Sequence, residues 1–119
     1  MKAKEKDYQL YLLKKVHNWC KQQDMLEPEM YYQLVFRDIL RLTNMVLTNI
    51  STRNLRYGGH HTFTFKAIPG CSIYGITNGE AEGVFDHYYS EVDYFEYDDI
   101  EVIENKNGIL RIRCHYYPI

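Results

Sequence analysis

Between Ala3 and Gln23 apolar side chains fall at Tyr8, Leu12, Val16 and Trp19, spaced by three and four residues, with Leu13 and Cys20 widening the stripe. That period collects them on one side of a helix, so an amphipathic α-helix is expected here. Lys4, Lys14, Lys15 and Lys21 fill the other side, as on an ordinary solvated helix surface. Pro28 suits the first turn of a second helix, where its missing N–H leaves no bond unmade. Tyr31, Val35, Ile39, Leu42, Val46 and Ile50 continue the pattern and carry this helix to about Asn49. Leu34, Phe36, Leu40, Met45 and Leu47 flank the stripe, a coverage that predicts burial on two sides. Ser51 to Gly59 has no period, ends in two glycines and reads as a loop.

Beyond residue 60 the period becomes two. His61, Phe63, Phe65 and Ala67 alternate with Thr62, Thr64 and Lys66, the signature of a half-buried strand that Pro69-Gly70 closes. Cys71 to Thr77 reads as a second strand, with Asn78-Gly79 as the hairpin turn after it. Val84 to Tyr97 reads as one or two further strands. The last hairpin has the clearest pattern: Ile100 and Val102 precede Asn105-Lys106-Asn107-Gly108, and Leu110, Ile112 and Cys114 follow it. Keeping both apolar sets on one face requires Glu101 to oppose Arg111 or Arg113, because a slip of one residue would invert the faces. The expected fold is α+β, two N-terminal helices packed on an antiparallel sheet of about four to five strands. It forms a single domain over 1–119, helical over about 3–50 and β over about 60–117.

Charge adds a second pattern. The total of -2 conceals two halves: residues 1–66 hold 11 Lys/Arg against 6 Asp/Glu, and residues 67–119 hold 3 against 10. The balances are 11 - 6 = +5 and 3 - 10 = -7, an asymmetry that points to electrostatic recognition. Tyrosine is in surplus at 12 of 119 residues, most of them after the helices, and Tyr beyond what a core can satisfy gathers at interfaces. No apolar run approaches the roughly 18 residues of a membrane span, and the first residues lack a signal-peptide core. Three cysteines, Cys20, Cys71 and Cys114, are sparse and odd in number, which favours a reducing, cytoplasmic setting over a secreted disulfide scaffold.

Candidate chemistry is thin. His17 and Cys20 lie three apart, with His60, His61, Cys71, His87 and Cys114 downstream. They include no tight Cys-x-x-Cys-type pair, so they read as buried thiols and scattered histidines rather than a zinc site. Glu104-x-Lys106 preceded by Asp93, Asp98 or Asp99 loosely matches a metal-nuclease pattern, but Lys106 belongs to a hairpin turn and would face solvent. There is no nucleophile elbow and no glycine-rich phosphate loop, so no cofactor is expected. Lys2, Lys4, Lys6, Lys14, Lys15 and Lys21 with Arg53 and Arg56 would suit nucleic acid, but the acidic second half opposes direct binding.

What remains is the stretch 86–104. Eight carboxylates occur there without one Lys or Arg, interleaved with tyrosines and one phenylalanine. It reads either as a solvated sheet surface or as a recognition surface whose carboxylates imitate a phosphate backbone while its tyrosines fill grooves. Its candidate binding residues are Asp86, Tyr88, Tyr89, Glu91, Asp93, Tyr94, Glu96, Tyr97, Asp98 and Asp99. The expected function is a non-enzymatic binding or inhibitor protein that engages a basic partner, such as a nuclease or another nucleic-acid-handling protein. Its character is that of phage proteins that block restriction or CRISPR nucleases, and of toxin-immunity proteins. The alternatives are a small metal-dependent enzyme built on the Asp/Glu cluster, and a homodimer or larger homo-oligomer formed through a sheet edge.

Overall fold

The computed structural model describes residues 2–22, 29–56, 58–87, 97 and 99–116; for 2–9, 12, 13 and 29 it describes the backbone alone. The described elements are α1 (Lys2–Gln22), α2 (Glu29–Thr43), β1 (Met45–Leu55), β2 (Gly58–Ala67), α3 (Asn78–His87), β3 (Asp99–Lys106) and β4 (Ile109–Tyr116). The four strands form one antiparallel sheet in the order β1-β2-β4-β3. The class is the expected α+β, although α3 lies between the two hairpins, so the helices are not confined to the N-terminal half.

Alternation along the strands sends every second side chain into one core. Its rows are Leu47–Phe65–Leu110, then Ile50–Phe63–Ile112–Val102, then Thr52–His61–Cys114–Ile100. Val16, Trp19 and Cys20 from α1, Tyr32, Val35, Phe36 and Ile39 from α2, and Ala81, Val84 and Phe85 from α3 close over these rows. Phe63 is the hub: its ring lies 5.8 Å from Trp19, 5.9 Å from Tyr32, 4.9 Å from Phe36 and 5.9 Å from Phe85. All three helices therefore share one aromatic centre, where edge and tilted contacts add to the burial of large apolar area.

Four expectations are corrected. First, the second helix ends at Thr43 rather than near Asn49, and residues 45–55 form a strand instead of a helix end and a loop. Asn44 takes a left-handed conformation at φ 59° and donates its N–H to Leu40 O at 2.8 Å, the usual way a non-glycine residue closes a helix. The apparent helical spacing beyond it comes from a β-bulge. The register shifts between Leu47 and Asn49, so Leu47 and Ile50 both face the core although they lie three positions apart.

Second, Cys71 to Thr77 is not a strand. Third, Asn78-Gly79 is the first turn of α3 rather than a hairpin turn. Thr77 Oγ1 accepts the Glu80 N–H and Glu80 Oε1 accepts the Thr77 N–H, both at 3.1 Å, a reciprocal capping box. Fourth, Val84 to His87 is helical rather than extended, and the rest of that expected strand, 88–96, lies outside the described residues. The last hairpin forms as expected, with Ile100 opposite Cys114, Val102 opposite Ile112 and Glu101 opposite Arg113. Asn107 and Gly108 turn it at φ 56° and 72°, the positive pair that Asn-Gly accommodates.

A polar chain crosses the core. His61 Nδ1 lies 2.6 Å from the Tyr97 hydroxyl, which lies 2.5 Å from the Tyr32 hydroxyl. Burial holds the His61 imidazole neutral, with its pKa lowered from 6.5 to about 4, and the nearby His60 acts in the same direction. An unfolded chain takes up this proton near pH 6.5, the folded chain only near pH 4. The native state thus binds fewer protons in that window, and its stability falls as the pH drops through it. Urea unfolding between pH 7 and 4 is expected to show a loss of about 3 kcal/mol that His61→Gln removes from the pH profile.

Candidate functional site

The sheet order turns the charge asymmetry of the sequence into an asymmetry in space. α1 and α2 pack beside β1 at one edge, and α3 packs beside β3 at the other. At the β1 edge stand Lys14, Lys15, Lys21, Arg37, Arg41, Arg53 and Arg56, all but the half-buried Lys15 exposed. At the β3 edge, α3 carries exposed Glu80, Glu82 and Asp86, and β3 carries exposed Asp99 with half-buried Glu101 and Glu104. Two side-chain bonds fix α3 and its lead-in against β3: Asn78 Oδ1 accepts the Val102 N–H at 2.7 Å, and Asn105 Nδ2 donates to Ile76 O at 3.3 Å.

Of the ten sequence-predicted binding residues, Asp86 and Asp99 stand exposed on the two elements of this acidic edge. Tyr97 does not join them on the surface. It is buried in the core, bonded to Tyr32 and His61, with its ring 5.9 Å from Phe85. Tyr88, Tyr89, Glu91, Asp93, Tyr94, Glu96 and Asp98 lie outside the described residues. In sequence they connect α3 to β3, the two acidic elements.

The face of the sheet opposite the helices is polar and ordered in rows. Across the strands run Arg53–His60–His115–Asp99, then Ser51–Thr62–Arg113–Glu101, then Asn49–Thr64–Arg111–Glu104. Arg111 meets Glu104 at 2.9 Å, and His115 Nε2 lies 2.9 Å from Glu101 Oε1. The His60 and His115 rings are 5.5 Å apart in an edge contact. Desolvation holds the His60 imidazole below the usual histidine range, and the positive neighbours Arg113, His115 and Arg53 act the same way.

The His/Cys set considered from sequence is dispersed. Cys20 and Cys114 are buried in the main core, Cys71 packs on a smaller cluster with Leu40, Val46 and Ile68, and His61 belongs to the buried chain. His17 and His87 are exposed on α1 and α3. The Glu104-x-Lys106 pattern is also taken apart, because Glu104 pairs with Arg111 and Lys106 is exposed at the end of β3. Sequence reasoning missed His115, whose spacing from the carboxylates is long along the chain and short across the strands. The sequence left Glu101 opposite either Arg111 or Arg113; the observed pairing with Arg113 is what sets His115 opposite Asp99.

A cleft of about 260 Å³ lies at the opposite edge, lined by Lys15, Asn18, Trp19, Gln22, Asn49 and Ile50. Among the described residues no helix is long and apolar enough to cross a membrane. No family model, curated protein or solved structure matches the chain at the significance a relative requires.

Tyr97→Phe keeps the ring and removes both hydroxyl bonds at the centre of the buried chain. A loss of about 1–3 kcal/mol in urea unfolding is expected, the scale of leaving a buried polar group short of a partner.

Proposed function

We propose that this chain is a non-enzymatic protein-binding module that holds a basic protein partner through its acidic α3–β3 edge. The observation that carries the reading is the segregation of charge. Glu80, Glu82, Asp86, Asp99, Glu101 and Glu104 gather on two adjoining elements, while the cationic helices flank the far edge. Such a field orients an approaching cation and speeds encounter, and it repels an anionic surface such as nucleic acid. Residues Glu91, Asp93, Glu96 and Asp98 add four carboxylates in the connection between α3 and β3. A nucleic-acid-handling protein is the partner class proposed, because its own site presents clustered Lys and Arg. Inhibition of that partner, in the manner of an anti-restriction, anti-CRISPR or immunity protein, is the role this binding would serve.

Carboxylates that act on a substrate are expected to converge in a concave site. Glu80, Glu82 and Asp86 stand exposed on α3, Asp99 and Glu101 lie beside His115 on the open face of the sheet, and the described cleft lies across the sheet beside β1. That arrangement supports binding over metal-assisted hydrolysis.

The test is capture from host lysate by wild type and by a variant in which Glu91, Asp93, Glu96 and Asp98 become Gln or Asn, at low and raised salt. Wild type is expected to retain a basic nucleic-acid-handling protein, and the variant to bind it more weakly by roughly 2 kcal/mol, about thirtyfold in Kd. Raised salt should weaken wild-type capture. Equal capture by both proteins, or none by either, would overturn the reading.

A further inference from the structure

We propose that Asp99, Glu101 and His115 form a binding site for a divalent transition-metal ion of the Zn²⁺ class on the open face of the sheet. One ligand atom from each of Asp99, Glu101 and His115 lies within 4.8 Å of the other two. The sheet imposes this geometry. Asp99 and His115 are register partners on β3 and β4, and Glu101 stands two residues from Asp99 on the same face. His60, the register partner of His115 on β2, lies beside the site with its ring 5.5 Å from that of His115. The main-chain ladder of β3 and β4 holds the three donors, so the site is built on paired strands rather than on a loop.

The donor set selects the ion. An imidazole nitrogen with carboxylate oxygens suits Zn²⁺, Co²⁺ or Mn²⁺, whereas Ca²⁺ and Mg²⁺ prefer oxygen alone. His115 Nε2 and Glu101 Oε1 stand 2.9 Å apart. Two ligands about 2.0 Å from a tetrahedral ion stand about 3.3 Å apart, so small side-chain rotations open the pair to receive the metal. The two carboxylates balance the charge of a divalent ion. Glu104 is held by Arg111 at 2.9 Å and stays out of the set. Arg113 faces Glu101 and Arg53 faces His60, and both cations oppose the metal and keep its affinity moderate.

Titration of Zn²⁺ into the full chain by calorimetry, at neutral pH and moderate salt, tests the site. One ion per chain is expected. His115→Gln and Asp99→Asn should each weaken binding by more than about tenfold, since even changes outside the ligand shell act on that scale. His17→Gln and His87→Gln should leave it unchanged. A readout independent of any variant is paramagnetic broadening by Mn²⁺ in the wild-type NMR spectrum, expected first at the His115 and His60 ring protons. The site is overturned by the absence of saturable one-to-one binding, by binding that persists in both His115→Gln and Asp99→Asn, or by broadening centred on other histidines. None of these outcomes depends on whether a basic protein binds the acidic edge.

Discussion

The pairing of β2 with β4, Phe63 opposite Ile112, determines what each face of the sheet carries. Because side chains alternate, this one register sends Phe63, Phe65, Leu110, Ile112 and Cys114 toward the helices and sends His60, Arg111, Arg113 and His115 the other way. A shift of one residue would either turn Arg111 and Arg113 of β4 into the core or turn the aromatic hub of β2 out of it. Burying those charges without partners would cost far more than any surface contact returns, so the alternative is closed. The histidine–carboxylate row on the open face and the aromatic centre beneath the helices are therefore two consequences of the same constraint.

Sheet order has the same kind of authority over charge. A chain basic in its first half and acidic in its second could have interleaved the two in space. Instead β1 and β3 occupy opposite edges, and each brings its helices with it. The exceptions include Asp38 on α2, Lys106 at the end of β3, and two arginines on β4: Arg111 meets Glu104 directly, and Arg113 faces Glu101 across the ladder. The inner flank of the acidic edge is thus locally neutralised, while Glu80, Glu82 and Asp86 on α3 keep their field toward solvent. Glu80 has two tasks, since it also closes the first turn of its own helix.

Much of this organisation was legible in the chain, and the failures have specific causes. α1, β2 and the last hairpin follow their periods closely. The end of α2 was hidden by a bulge at Thr48, which gives a strand the three-residue spacing of a helix. The second bulge, between Val102 and Glu104, turns Ile103 outward without disturbing the pairs at either end. Asn78-Gly79 is a strong hairpin signal in isolation, but Thr77 and Glu80 around it form a capping box ahead of Ala81, Val84 and Phe85. That signal was available and outweighs the dipeptide. The acidic edge could be read from composition, whereas the His115–Asp99 pairing required the register, because 16 positions separate those residues along the chain.

Among the described tyrosines, four use their hydroxyls to tie the fold together. Tyr31 donates to Phe85 O at 2.9 Å, Tyr116 donates to Asn54 at 2.8 Å, and Tyr32 and Tyr97 bond each other, so these hydroxyls are satisfied within the fold. Satisfied polar chains of this kind specify one packing of a core more sharply than apolar contacts alone. Tyr97 is therefore an anchor within the core rather than an exposed contact residue. It pins the chain to Tyr32 and His61 two residues before β3 begins, while Phe85 pins α3 to the same aromatic centre two residues before the helix ends. The carboxylates and tyrosines of 88–96 lie in sequence between those two anchors. Phe85 and Tyr97 pack on each other with rings 5.9 Å apart, so the end of α3 and the approach to β3 are fixed by one core.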